Sequence, residues 1–586
     1  MVILSKEQIK AKDKLIKFIS GGDNQFILEG FAGTGKTTVL QEIFNSNDYR
    51  HFKICFSAIT NKAVSVMKKI GSEIKHYRSY KTIHKLFELY RDIQYDGSVK
   101  WKVRHIGGAN RQNFEYYHIV VIDECSMINK EIYNLIQARL EMNKGTKIIW
   151  VGDRFQLPPV KEDFSLVFNN INEKNYYLLE TIQRTNIKEI RDFQFDIREV
   201  VKNGGKIPLK KAKKTLSKAF QIIKKDEETF LNSYFQDYIQ SKECIVLAYT
   251  NARVNHYNQK IRKMIKIHNH CENNTEPYIE GERIVFNNYY TNEEKIFYTS
   301  EQTEVMTIEK TSCAMISLST LLMNHYSSEL GVNEINEAMG NDKKVSGNAV
   351  DNMDIVDTEK NTTMDEEDKS CPICMEKTKM MRKTKCGHMF CKECIKKWLD
   401  KNKCCPFCRM DIKDNKIYLK SSPEFNKKLE HLYASTENIN FDIYKLCVEY
   451  ENKKNDLYDD VDDDVDDDEA IINIIRDKRT YQKTVNEIIK GIKDIKDLLF
   501  KTKGNTDVQK LILTKLWTYV YQQLKDRFAD ISYGYSMTVH KSQGSTYDNC
   551  YVDMCNILMA NGNDKDAIRC LYTSVTRPSK SLSVLY

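Results

Sequence analysis

The sequence predicts an α/β protein built on parallel sheets, with a small metal-stapled module set into its second half. Three observations predict it. Short apolar runs alternate with helical patterns, and the runs end in polar motifs, as strands of a parallel sheet do when a site forms at their C-terminal ends. The chain has 586 residues, too many for one core, so three to five domains are expected. Seven cysteines and a histidine recur at metal-ligand spacing between residues 371 and 408, with one further cysteine, Cys404, among them.

Taken in order, residues 5–19 carry apolar side chains at helical spacing. The apolar run after Gln25 reads as a buried strand, and Gly30 to Thr37 fits G-x-x-x-x-G-K-[ST] before a helix reaching Phe44. In that context Gly30, Gly33 and Gly35 let backbone N–H groups curl around phosphates at a helix N-terminus. Lys36 then reaches the terminal phosphates, the Thr37 hydroxyl ligates Mg²⁺, and Thr38 lies beside it. A chance glycine-rich turn is the alternative, and it accounts for neither the flanking strand nor the helix. The reading is a binder of ATP with Mg²⁺.

Lys53 to Ser57 reads as a second strand, and Thr60-Asn61-Lys62-Ala63 opens a helix. Ile93 to Trp101 reads as a hairpin turning at Asp96-Gly97. An aromatic tip there suits stacking on a base, and ordinary packing of Trp101 is the equal alternative. Ile119–Ile122 is a buried strand ending in Asp123-Glu124, and Lys147–Val151 is another, ending in a stretch that contains Gln156. Asp123 suits Mg²⁺, Glu124 suits activation of the attacking water, and Gln156 suits sensing of the γ-phosphate. Arg184 and Arg577, far apart in the chain, suit charge stabilisation from a facing domain; a surface salt bridge is the plain alternative for each.

A second α/β unit follows, with a strand from Cys244 to Tyr249 and strand character over 281–310. Residues 340–369 contain no aromatic side chain and read as a flexible linker. Strand character returns at Asn440–Val448. Ten of the fourteen residues from Asp456 to Glu469 are acidic, and they read as a solvated loop; mimicry of nucleic acid is the lesser alternative. Helical patterns fill 470–526. His268, His270 and Cys271 read as a polar loop.

The bulk numbers agree with this picture. Charged residues are 29% and hydrophobic ones 41%, as in soluble globular proteins, and the formal charge of +8 permits a polyanion partner. No apolar run reaches membrane-span length and no signal peptide is evident, so no membrane partner is expected. Seventeen cysteines in such a chain point to a reducing intracellular compartment: nucleus, cytoplasm or a viral replication site.

The ordered motifs resemble superfamily 1 helicases of the RecD/Dda type. They are Gly30–Thr37, Thr60-Asn61-Lys62-Ala63, Thr82-Ile83-His84, Asp123–Met127, and Gly152-Asp153 with Gln156-Leu157-Pro158-Pro159. In the second half they are Tyr249-Thr250-Asn251, Thr538 to Gly544, and Tyr572 to Arg577. The resemblance covers most of residues 1–310 and 437–586. It implies two RecA-like parallel-sheet domains with a small β-barrel, and 5′ to 3′ movement on single-stranded DNA and at forks. It also implies that Gln8 contacts the adenine, that Gln543 and Arg577 face the nucleotide, and that Thr60, Asn61, His84, His540 and Lys541 face the single strand. Two departures bear on efficiency: Ser57-Ala58-Ile59 lacks the usual proline, and Thr576-Arg577-Pro578 is an uncommon motif end.

The cysteine block matches a RING finger at every ligand, and its donors suit two tetrahedral zinc sites. The resemblance assigns one Zn²⁺ to Cys371, Cys374, Cys391 and Cys394, and the other to Cys386, His388, Cys405 and Cys408. Ile373, Trp398, Pro406 and Arg409 occupy the places that contact a ubiquitin-conjugating enzyme and ubiquitin in ligases of this type. A non-enzymatic alternative is a DNA-dependent ATPase clamp or adaptor whose finger only recruits protein partners.

The domain expectation follows. Residues 1–180 form the first RecA-like domain, with a hairpin subdomain at about 85–117, and 181–275 begin the second. Residues 276–312 and 437–455 form the barrel, 313–369 are helical and then linker, and 370–412 are the RING. Residues 413–436 are linker, 456–527 are the acidic loop and helices, and 528–586 complete the second RecA-like domain.

Overall fold

The computed structural model describes residues 4–60, 63–64, 66–68, 78–103, 113–159, 161–169, 172–271, 273–292, 295–320, 381–383, 389–391, 423–450, 469–501, 506–560 and 564–586. The ligands and contact residues expected in the RING, along with Asn61, Lys62, the 340–369 linker and most of the acidic run, lie outside the described residues; Cys391 is described only as backbone.

Eight strands come from the first 180 residues: β1 (Gln25–Gly30), β2 (Ile54–Ala58), β3 (Arg78–Thr82), β4 (Leu89–Ile93), β5 (Val99–Val103), β6 (Ile119–Asp123), β7 (Lys147–Gly152) and β8 (Tyr176–Leu179). Six of them form a parallel sheet in the order β3-β2-β6-β7-β1-β8. The four central strands, β2, β6, β7 and β1, carry near-continuous runs buried on both faces, while the edge strands β3 and β8 are only partly buried. Phe26 and Leu28 face helices Lys6–Ser20 and Lys36–Phe44, while Ile27 faces the layer containing helix Lys130–Met142. This register brings Gly30, Asp123 and Gly152 to one end of the sheet.

Two strands, β9 (Phe220–Ile223) and β10 (Cys244–Ala248), begin a second sheet before the chain leaves it. The excursion contains β11 (Arg283–Phe286), β12 (Tyr290–Asn292), β13 (Lys295–Phe297), β14 (Gln302–Ala314), β15 (Met381–Lys383), β16 (Met389–Cys391), β17 (Asn440–Glu449), β18 (Glu469–Ile475) and β19 (Ile531–Tyr533). The chain returns with β20 (Ser536–Thr538), β21 (Tyr547–Asp553) and β22 (Pro578–Leu585), completing a parallel sheet ordered β20-β10-β21-β22-β9. Among the described residues of the cysteine block, β15 and β16 pair antiparallel.

The excursion builds an antiparallel sheet ordered β18-β17-β14-β11-β19. The Ala529 N–H, just before β19, donates to the Asn473 carbonyl of β18 at 2.8 Å, which ties the two edges together. Ile284, Phe286, Leu446, Val448 and Ile472 fill the interior of this small barrel. Beside it, helices Pro423–Thr436, Lys478–Lys501 and Thr506–Tyr519 pack into a lobe of their own. Val485, Ile488, Ile492, Ile495 and Leu499 recur at helical spacing and supply its buried stripe.

The structure corrects three expectations and decides a fourth that stood even. Residues 413–436 are not all linker: Pro423–Thr436 is a helix with Phe425 and Leu432 buried. Each such side chain is worth roughly 2–5 kcal/mol in a packed core, so this segment belongs to the lobe. Helix does not fill 470–526, because Glu469–Ile475 is β18; Ala470, Ile472 and Ile474 alternate inward, and paired β-branched residues favour a strand. Residues 528–586 are not all of the second parallel-sheet domain, because β19 pairs with β11 in the barrel. Finally, of the two equal readings of Trp101, packing is the one found. Trp101 lies in β5 opposite Arg91, packed into the first domain's core, while the tip at Gly97 rests on the Trp517 ring and its carbonyl accepts from Tyr521. Among the described residues no helix is long and apolar enough to cross a membrane.

Candidate active site

The loop from Gly30 to Thr37 joins β1 to the N-terminus of helix Lys36–Phe44. Gly33 and Gly35 have φ of +78° and +77°, conformations that side-chain-bearing residues rarely adopt. A Cβ on Gly33 would stand 2.4 Å from that of Arg184, and the Gly33 carbonyl accepts from the N–H groups of Gln183 (2.6 Å) and Arg184 (2.9 Å). Glycine is thus required where the loop turns at positive φ and where Arg184 and Gln8 press against it, the backbone form that fits bound phosphate. Lys36 Nζ hangs over it, donating to the Gly30 and Phe31 carbonyls at 2.9 and 3.0 Å. Gln8 braces the loop from helix Lys6–Ser20: its Nε2 donates to the Thr34 carbonyl (3.1 Å), and its Oε1 accepts from the Ser5 N–H in a capping box.

At the end of β6, burial raises the Asp123 carboxyl to about 6; the neighbouring Glu124 adds to the rise and Lys36 opposes it. Asp123 Oδ1 accepts from the Glu124 N–H. Glu124 itself has φ +51°, a strained value for a non-glycine residue. That backbone turns its side chain toward the second domain: a Cβ on Gly544 would lie 3.7 Å from Glu124 Oε1 and 3.6 Å from the Ala63 Cβ. Thr37 and Asp123 are the residues that would hold Mg²⁺, and one hydroxyl plus one carboxylate suits an ion that takes its remaining ligands from phosphate and water.

From across the junction, Arg577 is 1% exposed and makes four contacts. Nε donates to the Thr573 carbonyl (2.9 Å), Nη1 to the Ser545 carbonyl (3.2 Å), and Nη2 to Gln156 Oε1 (3.2 Å) and Thr576 Oγ1 (3.0 Å). Arg184 Nη1 donates to the Thr576 carbonyl at 2.6 Å. Burial and the nearby Arg577 push the Arg184 guanidinium down to about 10. Gln543 Nε2 donates to Ser126 Oγ (3.3 Å), and Tyr572 Oη donates to the buried Asp153 carboxylate (2.8 Å). The structure therefore brings together Gln8, Lys36, Asp123, Glu124, Gln156, Arg184, Gln543 and Arg577, as expected for one site shared between two domains.

Three profiles of known families match the chain: an AAA domain over residues 19–162, a Ring finger domain over 369–409, and a UvrD-like helicase C-terminal domain over 533–585. The helicase profile falls on the half that supplies Arg577, and the AAA profile on the half that supplies the phosphate loop. Over parts of its length the chain is similar to helicases of the Pif1 and RecD type, and over residues 369–409 to RING fingers. An uncharacterized protein of Acanthamoeba polyphaga mimivirus is 27% identical over 604 residues, covering 99% of each chain. The ATP-dependent DNA helicase Pif1 of Campylobacter jejuni is 33% identical over 187 residues, 30% of this chain and 38% of that one. The E3 ubiquitin-protein ligase RNFT1 of Danio rerio is 48% identical over 44 residues, 8% of this chain and 10% of that one.

The residues expected to face the single strand fall in both halves of the chain. Thr60 Oγ1 accepts from the Ala63 N–H (3.2 Å), and the His84 ring lies 4.2 Å from that of Trp101. Burial lowers the His84 imidazole pKa, favouring the neutral ring. His540 lies 5.7 Å from the Tyr249 ring, and Lys541 Nζ donates to Asn287 Oδ1 (2.5 Å). Sequence reasoning missed the Asp153–Tyr572 pair as a contact, although both residues stood in recognised motifs. It missed Arg198 entirely, because one arginine in an amphipathic helix leaves no mark in a motif.

Proposed function

We propose that the chain hydrolyses ATP to step 5′ to 3′ along single-stranded DNA and to open forked duplexes, and that its RING acts as a ubiquitin ligase. One observation carries the motor reading: Arg184 packs on the phosphate loop and Arg577 on Gln156 beside it, both buried near Glu124 yet without an ion pair among the described residues. Buried cations so arranged are costly until a polyanion joins them. A triphosphate seated between the domains supplies that charge, and its hydrolysis removes part of the reason for closure. Lys36 holds the terminal phosphates, while Mg²⁺, when bound at Thr37 and Asp123, neutralises charge on the phosphate oxygens. Glu124 takes the proton from the attacking water. Gln156 positions Arg577 at the transferring group. Closure and reopening move Thr60 and His84 against His540 and Lys541 along the strand, with contacts to backbone and stacked bases that tolerate any sequence.

Unwinding assays test the motor: a duplex with a 5′ tail should be opened with ATP, and one with a 3′ tail should not. Equal or reversed preference overturns the direction, and absence of strand separation with active ATPase favours the clamp or adaptor reading.

For the RING, eight soft donors in two sets fit two zinc ions, whose binding supplies folding free energy that some forty residues lack. Metal analysis is expected to give about two zinc ions per chain. Arg409→Ala should keep the zinc and lower ubiquitin-chain formation with a cooperating conjugating enzyme. Wild-type protein inactive with every enzyme of a broad panel would leave recruitment as the role of the finger.

A further inference from the structure

Helix Lys188–Asn203 belongs to the second domain: Ile190, Phe193 and Ile197 join the core of its parallel sheet, and Gln194 Nε2 donates to the Val575 carbonyl (2.8 Å). One turn further along, on the same side of the helix as Gln194, Arg198 reaches the first domain. It is 4% exposed, and its guanidinium carbon stands 3.0 Å from the centre of the Phe31 ring and 4.6 Å from that of Phe155. Phe31 is part of the phosphate loop, and Phe155 directly precedes Gln156. The Arg198 Nε is buried without a hydrogen-bond partner, and the side chain forms no ion pair among the described residues.

A planar cation clamped between two aromatic faces is attracted by both ring quadrupoles, more so where water is excluded. A buried guanidinium whose Nε donor is unused is otherwise unfavourable, so it is retained for what the ring contacts do. Among the described residues Arg198 favours the charged form of Asp153, whose carboxylate already accepts from Tyr572 of the second domain. Arg198 thus touches the loop that holds the phosphates, the segment that carries Gln156, and, through Asp153, the segment that carries Arg577.

We infer that Arg198 is a positioning residue that couples closure of the second domain to the alignment of the phosphate loop and Gln156. This rests on the proposed motor function but concerns a residue outside every recognised motif. Because the stack forms only when the domains are together, its loss acts on turnover in the closed state more than on first capture of the nucleotide.

Steady-state ATPase kinetics with full-length protein, with and without a single-stranded oligonucleotide, test the inference. Arg198→Ala is expected to lower kcat about tenfold while the KM for ATP moves less than about twofold. Arg198→Lys should not rescue, since an ammonium cannot stack as a plane. Phe31→Leu should cause a similar loss, and the double variant should be little worse than either single one. Additive losses, rescue by lysine, or an equal fall in kcat and melting temperature restored together would make Arg198 ordinary packing and overturn the proposal. Wild-type protein whose turnover ignores nucleic acid would instead overturn the motor reading; the kcat comparison and the double-mutant cycle on unstimulated ATPase then still decide the role of Arg198.

Discussion

Glu124→Gln is expected to leave ATP bound while slowing its hydrolysis by about 10²–10⁴-fold, the usual contribution of a positioned general base. The substitution keeps the size of the side chain and its place at the end of β6, so the fold and the phosphate cradle are undisturbed. What is lost is the ability to take a proton, together with the negative charge that Arg184 and Arg577 feel. Binding of a fluorescent ATP analogue together with single-turnover hydrolysis separates binding from hydrolysis. Unchanged turnover would mean that another group activates the water. The strained φ of +51° at Glu124 would then lack the catalytic reason proposed here.

The second large effect is expected at Arg577. Arg577→Ala should cut stimulated turnover by about 10³-fold, the lower end of what an arginine supplied to the transferring phosphoryl group provides. It also releases Gln156, whose Oε1 the guanidinium holds at 3.2 Å. Arg577→Lys is expected to recover little. The native side chain spreads its donors among Thr573, Ser545, Thr576 and Gln156, and a lysine point charge cannot reproduce that planar fork. Because the residue is buried, melting temperatures of both variants accompany the kinetics. A folded Arg577→Ala variant with normal kcat removes Arg577 from the reaction.

The two experiments rest on differently legible parts of the chain. The phosphate loop was readable residue by residue, because its backbone needs glycine where φ is positive and its chemistry needs Lys36 and Thr37 at a set distance along the chain. Asp123-Glu124 was readable from its place after four apolar residues. Arg577 was not readable from spacing, since its partner Gln156 lies 421 positions away; motif order supplied it through resemblance. Arg198 was beyond both routes.

The misreadings, and the open reading of Trp101, have local causes. The isoleucine-rich run at 471–475 suits either helix or strand on composition, and pairing with β17 decided for strand. Helix Pro423–Thr436 follows a cysteine-rich block and is polar on most faces, so its two buried anchors, Phe425 and Leu432, did not stand out. Trp101 sits near an Asp-Gly turn in sequence, but the strand alternation carries it inward and leaves the tip to meet Trp517.

What the sequence by itself determined is the chemistry available: a cradle for phosphate, a carboxylate pair at a strand end, and eight soft donors in two sets. Those depend on neighbours a few positions apart, where backbone geometry converts spacing directly into place. What only the tertiary structure decided is which distant groups meet: Arg577 on Gln156, Tyr572 on Asp153, Arg198 between Phe31 and Phe155, Trp517 under the hairpin. Such contacts follow from strand order in two sheets and from how the domains close, and no local pattern records either, because their energies arise only once the intervening chain has folded.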